Sequence, residues 1–565
     1  MGKLIALGIS LILVVGVVIG TVVGVNKSRH PKDDLSAKDI ASGSTSTTMK
    51  SVSAICASAD YKDSCIKTLT PVAKNESSTP HDYLKAAFEA IVQEVQEAME
   101  KFGVIGKDAN SSIDKMAVGD CKELMQYAIS ELQSAISMVN DPKRHPASDP
   151  VAELKNWLSA VVSYEETCTE GFEHPKLKSS MENGLLNATQ LTGNALTIVT
   201  ELSAILKALN IRFDTHINSR RRLLDAQGYP TWFTLKDRKL LALHGNGQLT
   251  PNAVVAKDGS GQYKTIAEAI AACPKNSVSR YVIYVKAGTY DEYIIVTKGQ
   301  NNIFMYGDGP TSTIVTGKKS NAAGISTFQT ASFSVIADGF IAKSMGFENT
   351  AGPQGHQAVA LRVQGDKAAF FNCKMDGYQD TLYVQAKRQF YQNCVVSGTI
   401  DFIFGNAKAV MQDCQIIVRR PMDNQQNTVT AQGKMFQNEE TGIVIQNCNI
   451  VPDQQLSVDK LKIPSFLGRP WKKYATTIIM ESAIGDFIRP EGWMPWSGNF
   501  ALDTLFYAEY NNRGPGANTV QRVKWKGFKV ITDRNEALRF TAGPFILGNE
   551  WLKDTGAPFI LGLKY

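Results

Sequence analysis

A short motif that ends in cysteine recurs in the second half of this chain, and its spacing restricts the fold more than any other feature. The copies end at Cys373, Cys394, Cys414 and Cys448, so they lie 21, 20 and 34 residues apart. Between them, short stretches rich in Val, Ile and Phe alternate with Gly, Asn and Asp. This period without intervening helices predicts a β-solenoid, in which each repeat forms one coil and parallel strands stack on their copies. A β-sandwich would not carry such a sequence repeat.

Each copy also has Asn or Asp directly before the cysteine, and we expect both positions to form ladders that face the interior. An imperfect copy at residues 346–350 ends in Thr350 and aligns this residue with the cysteines. Seven residues after the aligned position, the copies carry Gln357, Asp380 and Asp401. Because neighbouring strands lie about 4.8 Å apart, the repeat predicts two adjacent carboxylates with an amide beside them.

Two adjacent carboxylates tend to share one proton, which provides one acid and one anion. A structural ladder with a bound cation is the alternative, but aromatic residues surround both aspartates in the sequence. A buried carboxylate needs a cationic partner, and the Arg469 guanidinium could hold Asp401 ionised and oriented. Gln357 and Gln379 could donate hydrogen bonds to a developing oxyanion.

Five blocks around these residues resemble the signature blocks of plant pectin methylesterases and occur in the order of that family. The resemblance extends from Asn252 to the end of the chain and implies a right-handed parallel β-helix. The blocks are Gly288-Thr289-Tyr290-Asp291-Glu292, Gln357-Ala358-Val359-Ala360-Leu361, Tyr378-Gln379-Asp380-Thr381-Leu382, Asp401-Phe402-Ile403-Phe404-Gly405 and Leu467-Gly468-Arg469-Pro470-Trp471.

The resemblance implies a role for each matching residue. Asp401 would attack the methyl-ester carbonyl of a galacturonate unit, and Asp380 would protonate the departing methanol and then activate water. Gln357 and Gln379 would stabilise the tetrahedral oxyanion.

Further matching positions would support this reaction. Arg469 would fix Asp401, Trp471 would stack on the sugar, and Thr327 would touch the substrate. The resemblance also implies a Cys394–Cys414 disulfide between adjacent coils. It implies no metal and no cofactor.

The first half of the chain has a different pattern. From about residue 52 to residue 209, apolar residues recur at spacings of three and four, which predicts an all-α four-helix bundle. Asp149 can cap one helix, with Pro150 at its first position. This part is similar to the pectin methylesterase inhibitor domain that precedes many plant members. The similarity implies the disulfides Cys56–Cys65 and Cys121–Cys168. Sequons at Asn75, Asn110 and Asn187 are candidate glycosylation sites.

The remaining segments indicate secretion and processing. Residues 4–25 form an uncharged, mostly apolar run between basic residues, typical of a signal peptide or signal-anchor. Nine cysteines fit an oxidising compartment. Two dibasic pairs, Arg221-Arg222 and Arg238-Lys239, each precede Leu-Leu and suit a processing endoprotease. The predicted divisions are a targeting segment 1–30, a linker 31–50, a helical pro-region 51–210, a processing linker 211–250 and a catalytic β-helix 251–565.

The predicted function is therefore the hydrolysis of methyl esters of polygalacturonate in the plant cell wall, with an autoinhibitory pro-region. The net charge of +6, with its positive surplus after residue 225, suits an anionic partner such as methyl-esterified homogalacturonan rather than a nucleic acid. Other expected partners are the endoprotease and a proteinaceous inhibitor, and the mature enzyme is expected to be monomeric. A β-helix glycoside hydrolase or lyase acting on pectin, or a non-catalytic inhibitor or wall-binding protein, remain alternatives. No G-x-S-x-G motif supports a serine hydrolase.

Overall fold

A computed structural model describes residues 52–75, 77–142, 147–208 and 250–564. The predicted targeting segment, the linker before residue 51 and both dibasic pairs lie outside these residues. Within the described ranges, no helix is both long and apolar enough to cross a membrane.

The first part of the described chain is helical. Its core forms along one face of each helix; in the second helix, for example, Leu84, Phe88, Ile91 and Val95 are fully buried. The predicted start of the fourth helix is confirmed, because this helix begins at Pro150 and the Asp149 carboxylate accepts a hydrogen bond from the backbone of Ala152 at 3.0 Å. The helices are α1 (Lys62–Ala73), α2 (Pro80–Ile105), α3 (Ser112–Asn140), α4 (Pro150–Glu170) and α5 (Pro175–Ala208).

The expected number of four helices is wrong, because five are described between residues 62 and 208. The additional helix is the short α1, where Cys65 is joined to Cys56. Proline is favoured at the first position of a helix, because its missing N–H has no intrahelical partner there. The chain accordingly begins a new helix at Pro80 instead of extending α1. A second disulfide joins Cys121 to Cys168.

Residues 250–564 form a right-handed parallel β-helix of three parallel sheets, as predicted. Each coil contributes one strand to each sheet along most of the β-helix. The first sheet contains β1 (Ala253–Val255), β2 (Tyr281–Val285), β5 (Ile303–Gly307), β8 (Ile341–Lys343), β11 (Ala368–Phe371), β14 (Arg388–Gln392), β17 (Lys408–Gln412), β20 (Gly442–Gln446), β23 (Thr476–Met480), β25 (Phe506–Tyr510) and β26 (Phe528–Val530).

The other two sheets complete the three sides of the coil. The second contains β4 (Ile294–Val296), β7 (Phe333–Val335), β10 (Leu361–Val363), β13 (Leu382–Val384), β16 (Ile403–Gly405), β19 (Asn427–Gln432) and β22 (Ser465–Gly468). The third contains β3 (Gly288–Asp291), β6 (Thr313–Gly317), β9 (Gly346–Asn349), β12 (Lys374–Asp376), β15 (Val395–Gly398), β18 (Gln415–Val418), β21 (Asn449–Pro452) and β24 (Ala483–Ile484).

Short helices accompany the sheets. Thr265 and Glu268 form a capping box at the start of the first of them. These helices are α6 (Ile266–Ala271), α7 (Gln454–Asp459), α8 (Arg534–Leu538), α9 (Ala542–Phe545) and α10 (Gly548–Trp551).

The predicted cysteine ladder is present. The register pairs Lys374 with Val395, Val395 with Gln415, and Gln415 with Asn449, so the preceding cysteines stack in successive coils. All four are buried in the same apolar core.

The Asn and Asp residues of the motif do not form a second inward ladder. Asn372, Asn393, Asp413 and Asn447 have φ between 51° and 55°. Asn and Asp adopt this left-handed conformation more readily than most residues. They therefore turn the chain between the first and third sheets, and only the cysteines face the core.

The predicted Cys394–Cys414 disulfide is not formed, because both residues are free thiols. Each sulfur lies in the ladder at hydrogen-bonding distance from backbone carbonyl oxygens. The Cys394 Sγ is 3.4 Å from the oxygen of Phe370, and the Cys414 Sγ is 3.3 Å from the oxygen of Gln412. The structure thus packs these thiols as small apolar groups.

The alignment of Thr350 with the cysteines is also wrong. Gly346 pairs with Lys374, so Met345 is the residue that aligns with Cys373. The chain between Met345 and Gln357 is consequently longer than in the next coils. It includes a 3₁₀ turn that ends at His356, which is exposed.

The described residues divide into two compact units. One is drawn from Met1–Ile105, Lys122–Glu165 and Ser179–Ile217. The larger is drawn from Gly106–Cys121, Glu166–Lys178 and Asn218–Tyr565, so two short helical stretches belong with the β-helix.

Candidate active site

Asp380 and Asp401 lie side by side on adjacent coils, at the same distance before β13 and β16. Leu382 pairs with Ile403, and the backbone N–H of Asp380 donates to the carbonyl oxygen of Ile400 at 3.1 Å. Both aspartates have a left-handed backbone, with φ of 62° and 50°. They are only 7% and 6% exposed, so their carboxyl groups are largely removed from water. The second sheet therefore presents two buried carboxyl groups at one strand spacing.

The Asp401 carboxylate has three described donors. The Arg469 guanidinium donates from Nε to Oδ1 at 2.9 Å and from its terminal nitrogen to Oδ2 at 2.6 Å. Thr428 Oγ1 donates to Oδ1 at 2.7 Å and accepts from the backbone N–H of Asp401 at 2.9 Å. A bidentate guanidinium contact of this kind matches the geometry of an ionised carboxylate.

Asp380 has the opposite electrostatic environment. Burial raises the pKa of its carboxyl group well above the usual range, the neighbouring Asp401 raises it further, and Arg469 opposes this only in part. Burial alone would lower the pKa of Arg469, but its hydrogen bond and charge contact with Asp401 outweigh that effect. The pair is thus divided into a carboxyl group that retains its proton and a carboxylate held by a cation.

Two amide side chains flank the carboxyl pair. Gln379 directly precedes Asp380, and Gln357 lies on the preceding coil, where the backbone N–H of Ala358 donates to the carbonyl oxygen of Gln379 at 3.1 Å. Both glutamines are half-buried. The longer connection after Met345 therefore still brings Gln357 next to the second glutamine.

Aromatic side chains form a wall beside the carboxyl pair. Tyr383 stacks on Phe404 with 4.3 Å between ring centroids, and the Phe404 ring lies edge-on to Trp471 at 6.1 Å. The ring of Trp496 covers the Arg469 guanidinium at 4.3 Å. Such faces suit a pyranose ring, which has apolar C–H groups on its flat sides.

Thr327 is half-buried and precedes Phe328, whose ring stacks on the Arg362 guanidinium at 3.7 Å. No described contact joins Thr327 to the carboxyl pair. Within the described ranges, no three His, Cys, Asp or Glu side chains come together in an arrangement that could hold a metal ion.

The sequence analysis missed Thr428, Tyr507 and the cover formed by Trp496. Thr428 is 27 residues after Asp401, although the coil before it spans 21, so the repeat gave no reason to align the two. The alternating polar residues Thr428 and Thr430 in an otherwise apolar strand were the available signal. Tyr507 is fully buried, and burial together with the nearby Asp401 raises its pKa well above the usual range.

Comparison with known proteins agrees with this geometry. Residues 252–549 match the family model described as Pectinesterase, and residues 50–198 match the model described as Plant invertase/pectin methylesterase inhibitor. The chain is 41% identical to "Probable pectinesterase/pectinesterase inhibitor 21" of Arabidopsis thaliana, over 97% of this chain and 81% of the relative. It is 40% identical to "Pectinesterase 4" of the same organism, over 97% and 98% of the two chains.

A solved structure gives the same result for the β-helix. "Pectin methylesterase from Carrot" is 53% identical, with a TM-score of 0.56 over 56% of this chain and 100% of that chain. The matched residues include both aspartates, Arg469 and the aromatic wall. This chain belongs to the pectinesterase family and carries, ahead of its β-helix, a domain of the pectin methylesterase inhibitor family.

Proposed function

We propose that this pectin methylesterase hydrolyses the methyl esters of polygalacturonate through a covalent ester on Asp401. One observation carries the proposal. Two buried carboxyl groups lie on adjacent coils, and only Asp401 has a bidentate guanidinium partner, whereas the pKa of Asp380 is raised. This arrangement supplies a nucleophile and a proton donor at one strand spacing.

In the first half of the reaction, a carboxylate oxygen of Asp401 bonds to the ester carbonyl carbon, and the carbonyl electron pair moves to its oxygen. The amides of Gln357 and Gln379 stabilise that oxyanion. When the oxyanion collapses, the bond from carbon to the methoxy oxygen breaks, and the Asp380 proton passes to this oxygen. Methanol leaves, and the galacturonyl group remains esterified to Asp401.

The second half reverses these roles. Asp380, now ionised, removes a proton from water as the water oxygen attacks the acyl carbon. The bond between that carbon and the Asp401 oxygen then breaks, which releases the galacturonate product and restores both side chains. Stacking of sugar units on Trp471 and the neighbouring rings would orient the polymer across the carboxyl pair.

The products of the reaction separate esterase action from the main alternative. Carboxyl groups at one strand spacing also suit a retaining glycoside hydrolase. We expect methyl-esterified polygalacturonate to yield methanol with no increase in reducing or unsaturated chain ends. Methanol is measured by an alcohol-oxidase assay, and chain ends by reducing-sugar and absorbance assays. New chain ends without methanol would replace the proposal by a hydrolase or a lyase.

We also propose that residues 106–121 and 166–178 restrain catalysis until the pro-region is removed. Both stretches belong to the larger unit, and their contacts there involve the aromatic wall. Thr167 Oγ1 and the Tyr383 hydroxyl are 2.8 Å apart. Lys472, next to Trp471, pairs with Glu166 and, at 2.8 Å, with Glu170. Burial alone would lower the pKa of Lys472, but these two carboxylates outweigh it.

Removal of the two acidic partners tests this restraint. In the full-length, uncut protein, Glu166→Gln combined with Glu170→Gln should raise methanol release roughly 5- to 10-fold, the change that about 1 kcal/mol of weakened contact gives. Glu182→Gln is the matched control, because Glu182 is exposed on α5. Proteolysis after Arg222 or Lys239 is not needed for this comparison. Equal activity of the uncut protein and a fragment starting at Ala226 would contradict the restraint.

The proposed location is the plant cell wall, reached by secretion and processing at one of the dibasic pairs. The candidate glycosylation residues Asn75, Asn110 and Asn187 are all exposed, as attachment of a glycan requires. Methyl-esterified homogalacturonan is the proposed polymeric partner.

A further inference from the structure

The hydroxyl group of Thr428 bonds to both the backbone and the carboxylate of the proposed nucleophile. Thr428 Oγ1 accepts the N–H of Asp401 at 2.9 Å and donates its own hydrogen to Asp401 Oδ1 at 2.7 Å. Thr428 is 1% exposed and lies near the start of β19, where Thr430 pairs with Ile403. This register holds the hydroxyl beside Asp401 independently of any contact that Thr428 itself makes with solvent.

The donors are distributed unequally between the two carboxylate oxygens. Oδ1 receives hydrogen bonds from Thr428 and from Arg469 Nε, whereas the described donor to Oδ2 is the terminal nitrogen of Arg469. Each carboxylate oxygen accepts about two hydrogen bonds. Oδ1 is therefore saturated, and Oδ2 retains a lone pair for reaction.

We propose that Thr428 is a positioning residue, which fixes the Asp401 carboxylate so that Oδ2 is the atom that attacks the ester. The inference rests on the proposed acyl-enzyme mechanism. Oδ2 bonds to the carbonyl carbon, the carbonyl electron pair moves to its oxygen, and the methoxy group leaves with the Asp380 proton. Throughout these steps the Thr428 proton stays on Oγ1, because its role is to orient Oδ1.

The backbone conformation adds to this role. Asp401 has a φ of 50°, in the left-handed region that most residues adopt reluctantly. A hydroxyl that accepts the Asp401 N–H holds this turn, and its single hydrogen then points to the carboxylate. A serine hydroxyl can make both bonds, whereas valine can make neither.

Replacement of Thr428 in the full-length protein tests the proposal. Thr428→Val should lower kcat for methanol release roughly 10- to 100-fold, the effect of losing one hydrogen bond to a charged group. KM should stay within about twofold, since Thr428 orients the nucleophile and does not bind the sugar. Thr428→Ala should give the same loss, which removes valine packing as a cause. Thr428→Ser should recover kcat to within about threefold of the original protein.

Thr313→Val is the matched control. The Thr313 hydroxyl is also buried in a strand of the β-helix, donates to the carbonyl oxygen of Val285 at 3.3 Å and accepts the N–H of Asp308 at 3.0 Å. It has no described contact with the carboxyl pair. This variant should lose thermal stability to a similar extent as Thr428→Val but keep its kcat.

Three results would overturn the positioning role: an unchanged kcat in Thr428→Val, an equal loss in Thr428→Ser, or an equal loss of kcat in Thr313→Val. These results are distinct from failure of the proposed function, in which the unmodified protein itself releases no methanol. Substrate saturation curves for each variant give kcat and KM, and thermal unfolding curves show that each variant is folded.

Discussion

Asp401→Asn is expected to lower kcat for methanol release by about 10⁴-fold or more, the scale of effect seen when a catalytic nucleophile is removed. An amide cannot form the acyl-enzyme, and its NH₂ group would face the Arg469 guanidinium, which has only donors. Asn tolerates the left-handed φ of 50° at this position, so the turn itself is preserved. Methanol release under saturating substrate measures the effect.

Asp413→Asn provides the control for this substitution. Asp413 has a φ of 55° and lies one coil further along the β-helix, in a turn remote in sequence from either carboxyl group of the pair. It undergoes the same chemical change and should keep nearly full activity. Substantial turnover by Asp401→Asn, with normal kinetics in the control, would exclude Asp401 as the nucleophile.

Arg469→Ala is expected to lower both activity and stability. It leaves the Asp401 carboxylate, whose side chain is 8% exposed, without its cation. Removing one member of a buried ion pair typically lowers the free energy of unfolding by about 3 kcal/mol. Loss of the fork that orients the nucleophile should also reduce kcat roughly 10²- to 10³-fold. Arg469→Lys should restore part of the stability but little activity, because an ammonium group cannot contact both oxygens.

A double-mutant cycle separates charge from packing. Denaturant unfolding should show that Arg469→Ala combined with Asp401→Asn is more stable than Arg469→Ala alone, since the unpaired carboxylate is gone. Additive losses of stability in the double variant would mean that Arg469 acts through its packing under Trp496 instead.

The carboxyl pair could be predicted from the sequence because two successive coils have nearly the same length. Equal offsets from Cys373 and Cys394 then place Asp380 and Asp401 at equivalent positions. Arg469 could be named because a buried carboxylate needs a cationic partner, although no spacing rule led to it. The helical region was recognised by its period, but its helix number was not, since a short helix such as α1 has few residues to establish a period.

The errors arose where coils differ in length. The imperfect copy that ends in Thr350 was aligned five residues away from the observed register, because a sequence repeat does not reveal an inserted turn. Thr428 escaped notice for the same reason. The Cys394–Cys414 bond was expected from family resemblance alone, and stacked residues can pack as thiols as readily as they can form a covalent link.

The connections after β18 have a consequence for protein engineering. Ile403 pairs with Thr430, and Lys408 pairs with Gly442, so added residues enter in two segments while all three sheets keep their pairing. The second segment starts at Gly433, which lies against the Trp471 ring. Loop exchange at residues 433–441 should therefore alter polymer recognition while the reacting groups stay in place, which makes chain-length preference and chemistry separately adjustable traits.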